Sequence, residues 1–143
     1  MKTTSEQTPE ASLSSGQVDL AILDDDLDFR NYLEDALKDD GRYAIRTFGH
    51  PDELFAASEQ RLPDIVLLDM KMGEFKGDQV LEELLAKHPN LCVIIITGYP
   101  DSAMLDRILA KGPITVLKKP LKVEQLKETV RILGHKEAVK LAA

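Results

Sequence analysis

Acidic, hydroxyl and amino side chains follow four apolar runs of this sequence, at the point where each run ends. The run 65–68 consists of four consecutive apolar residues and is followed directly by Asp69. Other runs end at the acidic residues 24–26, at Thr97 and at Lys119. Short apolar runs of this kind are typical of strands buried on both faces. A carboxylate at the end of such a strand costs free energy unless it is hydrated, paired or bound to a cation.

If these strands are parallel, their carboxyl ends meet at one edge of the sheet, where open α/β sheets bind ligands. Several carboxylates at close range raise one another's pKa or require a cation, and oxygen ligands with few fixed carboxylates favour Mg²⁺ over Ca²⁺. A carboxylate neutralised by a metal can attack phosphorus as a nucleophile. Thr97 and Lys119 would then contact the phosphoryl oxygens. These groups together predict chemistry at phosphorus.

Five strand-and-helix units are needed to position these side chains. Strands are predicted at 18–23, 43–48, 65–69, 91–96 and 114–117, and a loop at 70–76. Each strand is followed by apolar residues at helical spacing. The predicted helix faces are Phe29, Leu33, Ala36 and Leu37; Leu54 and Phe55; Val80, Leu81, Leu84 and Leu85; Met104, Leu105, Ile108 and Leu109; and Val123, Leu126, Val130 and Leu133. Short crossovers require parallel strands and right-handed connections. We therefore predict a doubly wound (βα)5 sandwich with strand order 2-1-3-4-5, in which strand 43–48 lies at the edge because only Phe48 and Gly49 stand at its carboxyl end.

Composition excludes several classes of protein. The 143 residues carry a net charge of −7, so there is no basic surface for nucleic acid and an anionic membrane would repel the chain. The longest wholly apolar run, 91–96, is too short to cross a bilayer. Cys92 lies within that run and is predicted to be a small core residue. Residues 1–17 lack the apolar core of a secretory signal, and we expect a cytoplasmic protein.

With its motifs in this order, the sequence resembles the receiver domain of two-component response regulators, a CheY-like fold. The resemblance rests on residues 23–26 followed by Arg30, on residues 67–69 and 96–98, and on Lys119 with the proline after it. It covers residues 18–134, which are predicted to be the receiver domain. Residues 1–17 read as a disordered leader. Residues 135–143 read as a tail whose end resembles an expression-vector linker.

The resemblance implies a role for each of the polar residues. It makes Asp69 the phosphoacceptor, Thr97 the hydroxyl that moves towards the phosphate, and Lys119 the ion-pair partner of that phosphate. The implied Mg²⁺ ligands are Asp24, Asp25, Asp69 and the backbone carbonyl of Lys71. Asp26 is assigned to capping the first helix, because Asp is favoured at that position.

The resemblance also implies how such a protein would act. A histidine kinase or phosphotransfer protein would donate the phosphoryl group in an Mg²⁺-dependent reaction. The chain would be a switch and no enzyme beyond its own phosphoryl transfer and dephosphorylation. Its output would be protein–protein contact or a domain outside this sequence, and a homodimer through the face of helix 4, strand 5 and helix 5 is one expected form. Direct binding to nucleic acid or a membrane is not expected.

Two departures from the family pattern stand out. The loop after Asp69 lacks the usual proline, which favours a more flexible connection. The position of the family's switch aromatic is Val116, which has no ring to report phosphorylation. Tyr99, next to Gly98, is a candidate substitute for that aromatic.

Two alternative functions remain open from the sequence. Residues 23–26 also match the start of the haloacid-dehalogenase phosphatase pattern, in which Asp24 would be the nucleophile. Against this alternative, Asp28 stands where Thr or Val is expected. A phosphate-independent pseudo-receiver that acts as an interaction module is favoured by Val116 and by the altered loop.

Overall fold

The computed structural model describes residues 17–72, 75–98, 102–110, 112 and 114–142. Strands and helices alternate within these residues. The strands are β1 (Val18–Leu23), β2 (Tyr43–Phe48), β3 (Ile65–Asp69), β4 (Cys92–Thr97) and β5 (Ile114–Lys118). The helices are α1 (Leu27–Lys38), α2 (Pro51–Gln60), α3 (Gly77–Lys87), α4 (Ser102–Leu109) and α5 (Val123–Ala142).

The strands form one parallel sheet in the order β2-β1-β3-β4-β5. This confirms the predicted fold class and strand order, including the edge position of β2. The register aligns the carboxyl ends of the strands, since Asp69 lies opposite Ile96 and Thr97 lies opposite Lys118. The sheet therefore carries the polar residues of β3, β4 and β5 to one edge.

The core has two layers, one on each face of the sheet. Leu20 and Ile22 of β1 belong to a buried cluster with apolar residues of α1 and α5. Ala21 and Leu23 belong to a second cluster with apolar residues of α2 and α3. Successive residues of a strand point to opposite faces, so a run buried on both faces is apolar at every position. Cys92 is buried, as its place in such a run predicts.

Several element bounds differ from the sequence expectation. β4 is shifted by one residue and includes Thr97, because a β-branched residue continues a strand readily. The segment predicted as a loop after Asp69 contains a two-residue antiparallel pair, Lys71–Met72 with Phe75–Lys76. α5 continues to Ala142 through the residues predicted as a tail. The leader predicted for residues 1–17 lies outside the described residues except for Gln17.

Candidate functional site

Asp69 and Lys119 form an ion pair at the carboxyl edge of the sheet. The Lys119 Nζ donates to Asp69 Oδ2 at 2.9 Å, although the two residues are 50 positions apart. The Asp69 side chain is 6% exposed and the Lys119 side chain is 34% exposed. The parallel strands thus bring the proposed phosphoacceptor and the lysine into direct contact. The preceding residue, Lys118, is exposed.

Asp24, directly after β1, is the most buried carboxylate of this edge. It is 1% exposed, and its Oδ1 accepts a hydrogen bond from the Asp26 N–H at 2.9 Å. Its Oδ2 is buried and accepts no hydrogen bond. The pKa of Asp24 is raised from 3.8 to about 7, mainly by burial and also by the nearby charge of Asp69. The Asp26 N–H and the Lys119 ammonium act in the opposite direction.

The other acidic residues of the cluster have different surroundings. Asp25 is exposed. Asp26 caps α1, because its Oδ1 accepts from the N–H groups of Asp28 and Phe29. The predicted cap is therefore confirmed. Arg30 Nη1 donates to the Asp24 carbonyl at 3.1 Å, which ties the first turn of α1 to the end of β1.

Thr97 is the last residue of β4 and is 5% exposed. Its carbonyl accepts from the Lys119 N–H at 2.8 Å, so the main chains of these two residues are joined. This bond brings the start of the Lys119 side chain next to the end of β4. Thr97 thus lies at the predicted edge of the sheet beside the segment that carries the ammonium group.

The segment after Asp69 is anchored to α3 through a glycine. The Gly77 N–H donates to the Met70 carbonyl at 3.3 Å. A Cβ atom on Gly77 would come within 2.6 Å of the Met70 Cα atom, closer than real Cβ atoms pack. Glycine is therefore required at the start of α3, and it fixes the main chain next to Asp69. Lys71 follows in the short antiparallel pair.

A divalent cation fits this edge in part. The buried Oδ2 of Asp24 lacks a partner and lies near Asp69, which is the kind of uncompensated charge that a cation neutralises. However, no three His, Cys, Asp or Glu side chains among the described residues are arranged to hold a metal ion. A cation here would need water, carbonyl or phosphoryl oxygens as its other ligands, a set that Mg²⁺ accepts.

A model of the response regulator receiver domain family matches residues 20–131. The chain belongs to this family. Receiver domains are signalling switches of two-component systems and generally use Mg²⁺ for phosphorylation.

Two relatives of this receiver domain differ in length. The chain is 30% identical over 122 residues to transcriptional regulatory protein ZraR of Salmonella typhimurium, which aligns 84% of this chain with only 27% of that regulator. It is 27% identical over 112 residues to sporulation initiation phosphotransferase F of Bacillus subtilis, and here 78% of this chain covers 90% of the relative. The receiver domain therefore spans about a quarter of the first relative and most of the second.

Solved structures agree with the fold of the receiver domain. The CheY-like receiver protein of Methanospirillum hungatei superposes with a TM-score of 0.78 at 22% identity, covering 87% of this chain and 98% of that one. NtrX of Brucella abortus superposes with a TM-score of 0.76 at 26% identity, covering 88% of this chain and 29% of that one. Within the described ranges, none of the helices combines the length and the apolar character needed to span a bilayer.

Two features of the receiver domain were missed by the sequence reasoning. The ring of Phe29, assigned there only to the core, has the Lys119 Nζ above it at 4.8 Å from the ring centroid. Asp19, in the middle of a predicted strand, is 3% exposed and paired with Arg46 and Arg61. An acid inside an otherwise apolar strand was the available signal for the second feature. The proposed switch residue Tyr99 lies outside the described residues, and Val116 is half-buried against the core.

Proposed function

We propose that this receiver domain accepts a phosphoryl group on Asp69 from a histidine kinase or a histidine phosphotransfer protein, in an Mg²⁺-dependent reaction. The ion pair between Asp69 Oδ2 and Lys119 Nζ at 2.9 Å, next to the unpartnered oxygen of Asp24, is the observation that carries this proposal. One edge of the sheet therefore holds the Asp69 carboxylate as a nucleophile, the Lys119 ammonium and the buried Asp24 carboxylate. Asp24, Asp25 and the Lys71 carbonyl are the remaining proposed metal ligands.

The transfer itself is a substitution at phosphorus. An Asp69 carboxylate oxygen forms a bond to phosphorus, while the bond from phosphorus to the donor's imidazole nitrogen breaks. Its electron pair remains on that nitrogen. Bound Mg²⁺ would supply charge neutralisation for the phosphoryl oxygens. Lys119 already lies at the attacking carboxylate and would donate a charge-assisted hydrogen bond to a phosphoryl oxygen.

Thr97 is proposed to respond to the new group. Its position at the end of β4, and the bond from its carbonyl to the Lys119 N–H, make its hydroxyl the nearest neutral donor carried by that strand. The phosphoryl group can shift the conformation only by contacts that differ between the two states. Contacts of the phosphoryl group with Thr97 and Lys119 would be such contacts.

The output of the switch is proposed to be protein–protein contact or a domain outside this sequence. ZraR is named a transcriptional regulatory protein and aligns with the receiver domain over 27% of its length. Sporulation initiation phosphotransferase F aligns over 90% of its length. The relatives therefore include one protein much longer than the receiver domain and one of about its length.

Intact-protein mass spectrometry after incubation with acetyl phosphate and Mg²⁺ tests the proposal. Wild-type protein should gain roughly 80 Da, the mass of one phosphoryl group. Asp69→Asn should gain nothing, and omission of Mg²⁺ should suppress the adduct in the wild type. Lys118→Ala serves as a matched control for Lys119→Ala, since only Lys119 contacts Asp69.

The same experiment separates the alternatives. An adduct retained in Asp69→Asn but absent in Asp24→Asn would favour the haloacid-dehalogenase chemistry, which the family match already disfavours. No adduct and no response to Mg²⁺ with beryllofluoride would favour a phosphate-independent interaction module.

A further inference from the structure

The Lys119 ammonium has two partners of different kinds. It donates to Asp69 Oδ2 at 2.9 Å and lies 4.8 Å from the centroid of the Phe29 ring. The first attraction depends on the negative charge of the Asp69 carboxylate, and on phosphorylation that charge is replaced by the charge of the phosphoryl oxygens. The second depends only on the electron-rich face of the ring, which phosphorylation leaves unchanged.

We propose that Phe29 is a positioning residue that keeps the Lys119 ammonium at the carboxyl edge while the charge of Asp69 changes. The inference rests on the proposed function, because it concerns where the ammonium lies during phosphoryl transfer. Lys119 has a flexible stem, and its side chain is 34% exposed. Without the ring, the ammonium would lose a contact that phosphorylation leaves unchanged.

The Phe29 ring is itself held from two directions. The Phe29 N–H donates to the capping carboxylate Asp26 at 3.3 Å, so the main chain of Phe29 is tied to the acidic residues that precede α1. The ring stacks with that of Tyr32 at 6.0 Å between centroids and 16° between planes. It also packs against the buried cluster that includes Leu33 and Leu37. The ring face presented to Lys119 is therefore fixed relative to the site.

Packing alone would not require an aromatic ring at this position. The residue is only half-buried, and a leucine could cover the same apolar neighbours. The two roles therefore differ in one measurable property: packing depends on size, whereas attraction to an ammonium depends on the negative potential of the ring face.

Site-specific fluorination of Phe29 tests this property. One, two or three fluorine atoms withdraw electron density from the ring face with little change in size. The rate of phosphorylation by acetyl phosphate should fall stepwise through this series, by about two- to fivefold in total, which corresponds to a partly exposed cation–π contact. Phe29→Leu should show the full loss, and Phe29→Tyr should restore most of the rate.

The chain provides a matched control. Lys87 Nζ lies 5.2 Å from the centroid of the Phe55 ring, a similar contact formed by α3 and α2 rather than by the site. The same fluorinated series at Phe55 should leave the phosphorylation rate unchanged. Equal losses at both positions would mean that fluorination perturbs the fold, and the positioning role would be overturned.

A second measurement does not depend on phosphorylation. The ring current of Phe29 should shift the Cε protons of Lys119 upfield of those of the exposed Lys118, and Phe29→Leu should abolish this shift. A flat rate through the Phe29 series in a wild-type protein that is phosphorylated would overturn the inference alone. A wild-type protein that forms no adduct would overturn the proposed function and the positioning role together, even if the upfield shift is present.

Discussion

Two buried aspartates at opposite ends of β1 have opposite surroundings. Asp19, near the start of the strand, is 3% exposed, and Asp24, just after its end, is 1% exposed. Arg46 donates to both carboxylate oxygens of Asp19 at 3.0 and 3.1 Å, and Arg61 donates to one of them at 2.7 Å. Asp24 receives one main-chain hydrogen bond on Oδ1 and none on its buried Oδ2.

Further hydrogen bonds hold Asp19 at the start of β1. Asp19 and Asp64 exchange two hydrogen bonds at 2.8 Å, so the start of β1 is joined to the residue before β3. At the other end of the strand, the Asp24 carboxylate lies near a second acid, Asp69, and Arg30 donates to the Asp24 main-chain carbonyl. Burial of a charge is tolerated in the structure when cations neutralise it. A buried acid without a compensating cation is what the proposed Mg²⁺ site would require at that edge.

The largest expected effect is at the compensated end. Asp19→Ala would leave Arg46 and Arg61 without their shared anion. We expect a loss of about 3 kcal/mol in the free energy of unfolding, at the lower limit for a broken buried ion pair, because both arginine side chains retain some exposure. Urea denaturation measures this loss.

Glu128→Ala is a matched control for that measurement. Glu128 is paired with Arg131, but both side chains are largely exposed, so the midpoint should stay nearly unchanged. An Asp19→Ala protein as stable as the wild type would remove the distinction between the two ends of β1.

At the other end of β1, we expect replacement of the aspartate to raise the free energy of unfolding. Because the pKa of Asp24 is raised to about 7 in the folded protein, ionisation of this group lowers stability as the pH rises from about 4 to 7, and the effect is constant above 7. Asp24→Asn should therefore be more stable than the wild type by about 2 kcal/mol at pH 8.

The difference between Asp24→Asn and the wild type should shrink as the pH falls from 7 towards 4 and level off below 3.8, where the carboxyl becomes protonated in the folded and the unfolded state alike. Urea denaturation at several pH values measures the difference. An Asn variant that is less stable at pH 8 would show that the Asp24 charge is compensated after all.

The smallest expected effect is the response to magnesium. If Asp24 is a ligand, Mg²⁺ at ten times its dissociation constant should stabilise the wild type by about 1.4 kcal/mol, and Asp24→Asn should lose this gain. Asp19→Ala should keep it, since Asp19 lies at the other end of the strand. Thermal unfolding with and without Mg²⁺, with Ca²⁺ as a comparison, measures the response.

Much of the fold could be predicted because the signals are local. The apolar run 65–68 and the alternation of strands with helical spacing defined the units, and the right-handed crossover rule defined their arrangement. The polar residues Asp69, Thr97 and Lys119 were found for the same reason, since each lies at the carboxyl end of a strand or directly after it. The antiparallel pair of Lys71–Met72 with Phe75–Lys76 was not predicted, because strands of two residues are too short to show a hydrophobic period.

The sequence by itself determined which elements form, in what order, and which chemical groups reach the carboxyl edge of the sheet. The tertiary structure alone decided which buried acidic side chains are neutralised by nearby cations and which contacts the Lys119 ammonium makes. Asp19 is neutralised by arginines 27 and 42 positions away, and the Lys119 ammonium lies over the ring of Phe29, 90 positions before it. Hydrophobic periodicity is a property of neighbouring residues, whereas the balance of buried charge depends on distances that exist only after the strands and helices have packed.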